Sequence, residues 1–340
     1  MAQYKSIAVI YGSDSSEWEV SCRSGEFIAS RIDEFKYDVY EILARFGKWK
    51  LVAMRKANSM RMPFPEGAQP EIDKTDFSVM VLGEKVNFDF AYIMQHGAPG
   101  ETGLLQGYLE MIGIPHSTCS AFVTSVAFDK YACKRYIQDA DYVNFAPDAV
   151  VRRGDNVEDF CAKVAQKLGF PVFVKPTDGG SSFGITKVTK AEDLASAIGF
   201  AFSEGRTVIV EKAIPCAHEL TCAVYGDGDQ VKALPIIEII SQTGWFDYDA
   251  KYNGLSSEVC PAQVPEELSA HIQEISRHIY RDLGCKGLVR IDYIVTPEGD
   301  IYFLEVNIIP GMTNASLVPK MVRAAGMDMT FFLSKIIDNS

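Results

Sequence analysis

KGLVRIDYIVTPEGDIYFLEVN, residues 286–307, predicts two antiparallel strands joined by a tight turn. Two apolar runs flank PEGD (297–300), whose proline, glycine and aspartate are typical of a hairpin turn. If Glu298 and Gly299 form a two-residue loop, the register is fixed and side chains alternate between the two faces. One face then carries Arg290, Asp292, Glu305 and Asn307, and the other carries a core set of Ile291, Tyr293, Val295, Tyr302, Leu304 and Val306.

The polar face of this hairpin suggests a cation site. In that register Asp292 faces Glu305, and Cβ atoms of facing residues lie about 4.5–5.5 Å apart. Two carboxylates at this separation repel by about 1–3 kcal/mol, so positive charge must lie close to them. Together with the Asn307 amide oxygen they form an all-oxygen donor set suited to Mg²⁺. The alternative is a solvent-facing strand pair with a single Arg290–Asp292 ion pair.

Length and composition restrict the class of protein. The chain has 340 residues, of which 47% are hydrophobic, enough for the cores of two or three domains. A net charge of −12 without a long basic run argues against a nucleic-acid surface, although a nucleotide needs only a few local donors. We expect no signal peptide and no membrane span, because both need a longer apolar run. Eight scattered cysteines without a C-x-x-C pair favour free thiols in a cytoplasmic protein.

Apolar strand-like runs alternate with segments of helical period, which predicts an α/β protein. Residues 55–75, rich in Pro, Lys and Met, are expected to be an irregular insertion. The predicted strands are 7–11, 77–82, 90–94, 170–175, 184–189 and 207–214, and the predicted helices begin near 17 and cover 102–112, 121–140, 192–202 and 265–283.

The segment VKPTDGGSSFGITKV (174–188) predicts a strand, a glycine–serine loop and a second strand. Glycines let backbone N–H groups face a ligand, serines add hydroxyl donors, and Lys175 ends the first strand, so the loop can hold phosphates. It is not a Walker loop, because the G-x-x-x-x-G-K-[ST] order is absent. The alternative is a flexible hairpin tip. The loop residues are Gly179, Gly180, Ser181, Ser182 and Gly184.

Four further segments carry polar groups with open alternatives. Glu17 follows the first strand and is either a ligand-binding carboxylate or part of a capping box with Asp14. His96 follows an apolar strand, where α/β sheets place ligands, but a lone histidine is often structural. Ser316 is expected at a helix N-terminus, either as a carboxylate site or as an N-cap. The loop WFDYDAKYNG (245–254) is either a packed surface loop or a lid.

Taken together and in this order, the motifs resemble the D-alanine–D-alanine ligase family of the ATP-grasp superfamily over nearly the whole chain. They are SSEWEVS, HG with GETG and LQG, KP with GGSSFG, EK at 211–212, FDYDAKY, RID with EVN, and PGMT with SLVP. The resemblance implies a three-domain ATP-grasp fold. Its expected parts are an N-terminal α/β domain at 1–121, a central domain at 122–214 and a C-terminal catalytic domain at 215–340, with ATP held between the last two.

The family also implies a reaction. ATP phosphorylates the carboxylate of one D-alanine, the amine of a second D-alanine attacks the acylphosphate, and the dipeptide product serves peptidoglycan synthesis. Two Mg²⁺ (or Mn²⁺) ions and a homodimer are the family expectation. A close alternative is a ligase that takes D-lactate or D-serine as its second substrate. An ATP-binding protein without ligase activity is a more distant alternative, because the set of family residues is intact. An NAD-dependent dehydrogenase is more distant still, because the G-x-G-x-x-G fingerprint is absent.

The resemblance assigns roles residue by residue. Asp292, Glu305 and Asn307 match the metal ligands, and Arg290 matches the group that stabilises the tetrahedral oxyanion. Phosphate-binding roles fall on Lys130, Lys175, Ser182 and the lid lysine Lys251, and the adenine and ribose pocket on Glu211, Lys212 and Glu219. Glu17, Ser181, Tyr252 and His96 match the first-substrate site, and Gly311, Ser316 and Leu317 match the second-substrate segment.

Four positions depart from the family pattern. Trp18 stands where Arg is common, and Ile308 stands where Thr is usual after the metal-binding asparagine. Ala98-Pro99 alters the loop after His96. Glu219 lies one residue further from Glu211 than the pattern requires, which makes its ribose role the least secure.

Overall fold

A computed structural model describes residues 5–179, 184–226, 230–241 and 256–339. Its amino-terminal part is a five-stranded sheet in the order β4-β3-β2-β1-β8, in which β1 is parallel to β2 and β8. The strands are β1 Ser6–Gly12, β2 Asp38–Arg45, β3 Lys48–Arg55, β4 Met62–Pro63 and β8 Phe90–Ile93. A small antiparallel sheet joins β5 Ile72–Asp73, β6 Ser78–Val81 and β7 Glu84–Asn87, and the helices are α1 Trp18–Arg31 and α2 Leu104–Met111.

The middle of the chain forms an antiparallel sheet in the order β10-β13-β11-β12, with its own hydrophobic core. Its helices pack through residues spaced three and four apart, as an amphipathic helix requires. The elements are β10 Asp148–Arg152, α5 Val157–Lys167, β11 Val172–Pro176, β12 Thr186–Val188, the 3₁₀ turn Ala191–Asp193, α6 Leu194–Glu204 and β13 Thr207–Lys212.

The carboxyl-terminal part is built on a larger sheet in the order β17-β16-β14-β18-β19-β9, with β15 beside β14. Its core is continuous with the core of the amino-terminal part. Its strands are β9 Asn144–Phe145, β14 His218–Gly226, β15 Lys232–Ala233, β16 Ile237–Ser241, β17 Ser256–Val259, β18 Gly287–Val295 and β19 Ile301–Asn307. The helices are α7 Glu266–Asp282, α8 Leu317–Ala324 and α9 Met329–Asp338.

The α/β class is confirmed, and most predicted elements end within two residues of the observed ones. Strands β2 and β3 were not predicted, and the insertion at 55–75, expected to be irregular, contributes β4 and β5. The three domain boundaries stay a prediction. None of the helices within the described ranges is long and apolar enough to cross a membrane. All eight cysteines are described and are free thiols.

The register of the 286–307 hairpin is correct at the polar end and wrong at the turn. Arg290 pairs with Asn307 and Asp292 pairs with Glu305, as predicted. Near the turn the register shifts by one, because the backbone bonds between Thr296 and Asp300 enclose a three-residue loop instead of two. A bulge after Asp292 compensates for the longer loop. Tyr302 and Leu304, which were predicted for the core face, therefore line the central cavity instead. Phe303 and Ile301 are buried in the core in their place.

The helix predicted at 121–140 is wrong as one element. The structure has α3 Ala121–Phe128 and α4 Lys130–Tyr136, separated at Asp129, which has extended backbone angles (φ −84°, ψ 109°). The Asp129 carboxylate accepts a hydrogen bond from the Ala132 amide at 2.7 Å and caps the second helix. The break gives α4 its own direction and places its first residue, Lys130, beside the cavity.

The capping-box alternative for Glu17 is also wrong. Helix α1 begins at Trp18, so Asp14 lies too far upstream to be its N-cap. The Asp14 carboxylate instead accepts a hydrogen bond from the Phe46 amide. Glu17 lines the central cavity.

Gly25 sets the distance between α1 and β1, and its replacement tests this packing. A Cβ at this position would lie 2.2 Å from the Tyr11 ring, so Gly25→Ala should lower the free energy of unfolding by about 1–3 kcal/mol. A Cβ added to Gly199, in α6, would have no neighbouring atom within 4 Å, and Gly199→Ala should raise that free energy by about 0.5–1 kcal/mol. Urea titration of both variants measures the difference. Equal effects would contradict the packing argument.

Candidate active site

One cavity of about 500 Å³ gathers the polar residues singled out by the sequence. It is lined by β11 and β13 of the middle sheet, by β14, β18 and β19 of the larger sheet, and by the segments after β1 and β8. Ser181, Ser182, Lys251 and Tyr252 lie outside the described residues. The remaining predicted residues all line the cavity: Glu17, His96, Lys130, Lys175, Glu211, Lys212, Glu219, Arg290, Asp292, Glu305, Asn307, Gly311, Ser316 and Leu317.

Asp292 accepts four hydrogen bonds from three neighbouring side chains. Arg290 donates to both of its oxygens, from Nε at 2.9 Å and from Nη2 at 2.8 Å. Thr221 Oγ1 donates at 2.5 Å and Asn307 Nδ2 at 3.0 Å. Burial lowers the pKa of Arg290, but the neighbouring Asp292 carboxylate raises it by a larger amount. The pKa therefore lies above its ordinary value, and the guanidinium stays charged. The Arg290–Asp292 ion pair of the alternative interpretation is present, but both side chains line the cavity and are only 13% and 12% exposed, so this face of the hairpin does not face bulk solvent.

Glu305, opposite Asp292, has a different cation. Lys130 Nζ lies 3.3 Å from Glu305 Oε2 and donates to the Gly179 carbonyl at 2.9 Å. Each of the two facing carboxylates is thus neutralised by a side chain of the protein, so their repulsion alone does not require a metal ion.

The donor set of this hairpin still fits a hard cation. Asp292 and Glu305 supply carboxylate oxygens with several lone pairs each, and a half-turn of the Asn307 amide exchanges its nitrogen for its oxygen. Within the described part of the chain, no three acidic, histidine or cysteine side chains form a preassembled metal cluster. The residues present suit Mg²⁺ when anionic oxygens of a ligand complete the coordination.

At the end of the cavity formed by the middle sheet, Glu211 forms ion pairs with two lysines. Its Oε2 lies 2.9 Å from Lys175 Nζ, and its Oε1 lies 2.6 Å from Lys134 Nζ. Burial raises the pKa of Glu211, but Lys175 and Lys134 outweigh it and bring the pKa to about 2. Lys212 donates to the Phe170 carbonyl at 3.2 Å. Lys134 was missed by the sequence reasoning, although it lies one helical turn after Lys130.

The opposite end holds Glu17, His96 and Glu101. Burial lowers the pKa of His96, whose Nε2 lies 3.4 Å from Ser24 Oγ. Burial, followed by the nearby Glu17 carboxylate, raises the pKa of Glu101 to about 8, although the Gly97 amide donates to it at 2.6 Å. At neutral pH His96 is therefore uncharged and Glu101 holds a proton. The sequence offers Glu101 only as part of the GETG motif, and it was not predicted as a site residue.

Ser316 occupies the N-cap position of α8, as predicted for one of its two alternatives. Its Oγ accepts a hydrogen bond from the Thr313 amide at 3.0 Å and lies 2.8 Å from Thr313 Oγ1, and no side-chain cap to the helix is formed. A Cβ on Gly311 would lie 3.1 Å from this hydroxyl, so the backbone passes close to it. The helix N-terminus and the hydroxyl face the cavity, where an anion is favoured.

Two departures from the family pattern have structural accounts. The Arg45 guanidinium lies 4.2 Å from the centre of the Trp18 ring, so a cation is present where the family commonly has one. Ile308 is buried in the core directly after β19.

The chain matches known proteins over nearly its whole length. The family models for the D-ala D-ala ligase N-terminus and C-terminus match residues 6–119 and 135–338. A D-alanine–D-alanine ligase from Phocaeicola vulgatus is 42% identical over 98% of this chain and 99% of its own length. The enzyme of that name from Porphyromonas gingivalis strain W83 is 40% identical over 97% and 96%.

Solved structures agree in fold. The VanG D-Ala:D-Ser ligase from Enterococcus faecalis superposes with a TM-score of 0.85 at 31% identity, covering 98% of this chain and 99% of that one. The D-alanine–D-alanine ligase from Bacillus anthracis, complexed with ATP, superposes with a TM-score of 0.74 at 27% identity, covering 98% and 97%.

The raised pKa of Glu101 predicts a pH-dependent stability. The folded state holds this proton more tightly than the unfolded chain, so its contribution is fully present below the unfolded pKa near 4.5 and is lost as pH rises through about 8. Glu101→Gln, which resembles the protonated form, should be more stable than the parent at pH 9 by about 1–3 kcal/mol and nearly equal to it at pH 5. Thermal unfolding across this range measures the difference. A difference that does not vary with pH would contradict the assignment.

Proposed function

The chain belongs to the D-alanine–D-alanine ligase family, and on that premise we propose that it joins two D-alanines into D-alanyl-D-alanine through an acylphosphate, with ATP as co-substrate. The observation that carries the proposal is the convergence of every described family position on one cavity. The chain has the ATP-grasp fold of this family. The dipeptide would serve peptidoglycan synthesis in the cytoplasm, and a homodimer is the family expectation.

The nucleotide would lie between the middle and the larger sheet. Lys130 and Lys175 are cations at the cavity wall and suit the phosphates, and Ser182, outside the described residues, would cover them. The adenine would lie against Glu211 and Lys212 on β13, with Glu219 toward the ribose.

The metal site would consist of Asp292, Glu305 and Asn307, holding two Mg²⁺ or Mn²⁺ ions. Bound there, these ions would supply positive charge that neutralises the ATP phosphates and the charge that develops during transfer. Lys130 would move from Glu305 to a phosphate oxygen as the ions bind, since both interactions suit the same ammonium group. This exchange needs no change in the backbone of the hairpin.

The substrates would lie on either side of Arg290. Glu17 would bind the ammonium group of the first D-alanine, and the uncharged His96 would donate a hydrogen bond to its carboxylate. Ser181 and Tyr252, which belong to the first-substrate site, and Lys251, which would contact the transferred phosphate, lie outside the described residues.

The second D-alanine would place its carboxylate at the N-terminus of α8. Ser316 and the neighbouring amides would receive it, with Gly311 and Leu317 shaping the wall. Arg290, charged and held by Asp292, would stabilise the oxyanion that forms when the second amine attacks the acylphosphate.

Phosphate release with D-alanine tests the reaction directly. ATP hydrolysis coupled to D-alanine should require Mg²⁺, and mass analysis should show D-alanyl-D-alanine as the main product when D-alanine, D-serine and D-lactate compete. A dominant D-alanyl-D-serine or ester product would instead support the alternative second substrate. ATP binding without any phosphate release would show a nucleotide-binding protein without ligase activity.

Glu305→Gln tests the metal assignment. The substitution removes one negative charge from a partly exposed side chain, so turnover should fall by about 100-fold or more while thermal stability changes little. Glu298→Gln is a matched control, since it lies in the exposed turn of the same hairpin and should keep full activity. Near-parental turnover in Glu305→Gln at saturating Mg²⁺ would refute the role of Glu305.

A further inference from the structure

A second pair of carboxylates lies next to the nucleotide end of the cavity, away from the 286–307 hairpin. Asp148 on β10 and Glu211 on β13 are directly paired across antiparallel strands. Both side chains are buried, with 4% and 10% of their surface exposed. Like charges in this position destabilise a sheet, and more so when water is excluded. The pair therefore requires compensation from another element.

Lys134 of α4 supplies that compensation. Its side chain is 3% exposed, and its Nζ lies 2.7 Å from Asp148 Oδ2, 2.6 Å from Glu211 Oε1 and 2.9 Å from the Ala146 carbonyl oxygen. An ammonium group has three N–H donors, so these three oxygens use its full capacity. Lys134 is thus fixed in place and has no donor left for a ligand.

Lys175 binds the other oxygen of Glu211, but unlike Lys134 it lines the cavity. Its Nζ lies 2.9 Å from Glu211 Oε2, which is its one ion-pair partner among the described residues, and its side chain lines the cavity. Two of its three N–H donors are thus available toward the cavity, as far as the described residues show. A phosphate group entering there would compete with Glu211 for this lysine.

We propose that Lys134 is a positioning residue of the nucleotide site: it keeps Glu211 neutralised and fixed, so that Lys175 can turn from Glu211 to the phosphates of ATP. Without Lys134, the departure of Lys175 would leave a buried carboxylate with no cation, which is strongly unfavourable. Lys175 would then stay on Glu211, and ATP would bind weakly. The inference rests on the proposed function only in taking ATP as the ligand of this cavity.

A purely structural role makes a different prediction. If Lys134 served only to neutralise Asp148, its loss would lower stability without a selective effect on ATP. Arg135 provides the matched control, because it also contacts Asp148 but has no contact with Glu211 among the described residues.

The test measures ATP affinity by calorimetry in the absence of D-alanine, together with steady-state kinetics. Lys134→Gln should raise the Kd and the KM for ATP by about 10- to 100-fold and change the KM for D-alanine less than about twofold. Lys134→Arg, which keeps the charge, should restore much of the affinity. Arg135→Gln should bind ATP within about twofold of the parent.

A double-variant cycle with Glu211→Gln identifies the partner. If Lys134 acts through Glu211, adding Lys134→Gln to Glu211→Gln should weaken ATP binding by less than about twofold. A full effect in that background, or parental ATP affinity in Lys134→Gln, would overturn the proposal. Should Lys134→Gln fail to fold, Lys134→Gln combined with Asp148→Asn decides, because this double variant removes the unpaired Asp148 charge and keeps the Glu211 carboxylate. ATP affinity about 10-fold or more below that of Asp148→Asn would support the proposal, and equal affinity would overturn it.

The outcomes separate this inference from the proposed function. A parent protein that binds no ATP refutes both. A parent that forms the dipeptide, with a Lys134→Gln variant of equal ATP affinity, refutes only the role of Lys134.

Discussion

Carboxylates that face each other across neighbouring strands are the constraint on which the site depends. One short helix supplies a lysine to each of two such pairs. Helix α4 supplies Lys130 to Glu305 on the larger sheet and Lys134 to Glu211 on the middle sheet. The two lysines lie four residues apart, so they project from one face of the helix. Helix α4 thus forms ion pairs with two separate sheets, and residues of both sheets line the cavity. The break at Asp129 is part of this arrangement, because a continuous helix from α3 would direct the lysines elsewhere.

Two glutamates in the same cavity differ in charge at neutral pH, and their neighbours explain the difference. Burial alone disfavours the charged form of both. Two lysines overcome this effect at Glu211, whereas a nearby carboxylate adds to it at Glu101. The end of the cavity at the middle sheet therefore combines opposite charges, while His96 and Glu101 at the other end are uncharged and can donate and accept hydrogen bonds. Such a division suits a reaction in which a highly charged phosphate meets a small amino acid.

Much of this site was predictable because strand alternation and chain order are local properties. The hairpin at 286–307 brought Arg290, Asp292, Glu305 and Asn307 to one face in the predicted register. The turn was predicted one residue too short, and the error did not reach the site because a bulge after Asp292 offset it. Neither the loop length nor the bulge follows from alternation, since each depends on how the strands twist against their neighbours. Lys134 and Glu101 were missed for a similar reason: their roles come from partners that are distant in the chain.

The α/β class, the order of most elements, the polar face of the hairpin and, through the motifs, the family all follow from the amino-acid sequence. These depend on periodicity and on short segments that keep their meaning without the rest of the chain. Three features follow only from the folded arrangement: which cation neutralises Glu305, which glutamate holds a proton and where the helix after residue 120 breaks. Those outcomes depend on distance and burial between residues far apart in sequence, and electrostatic energies change steeply with both.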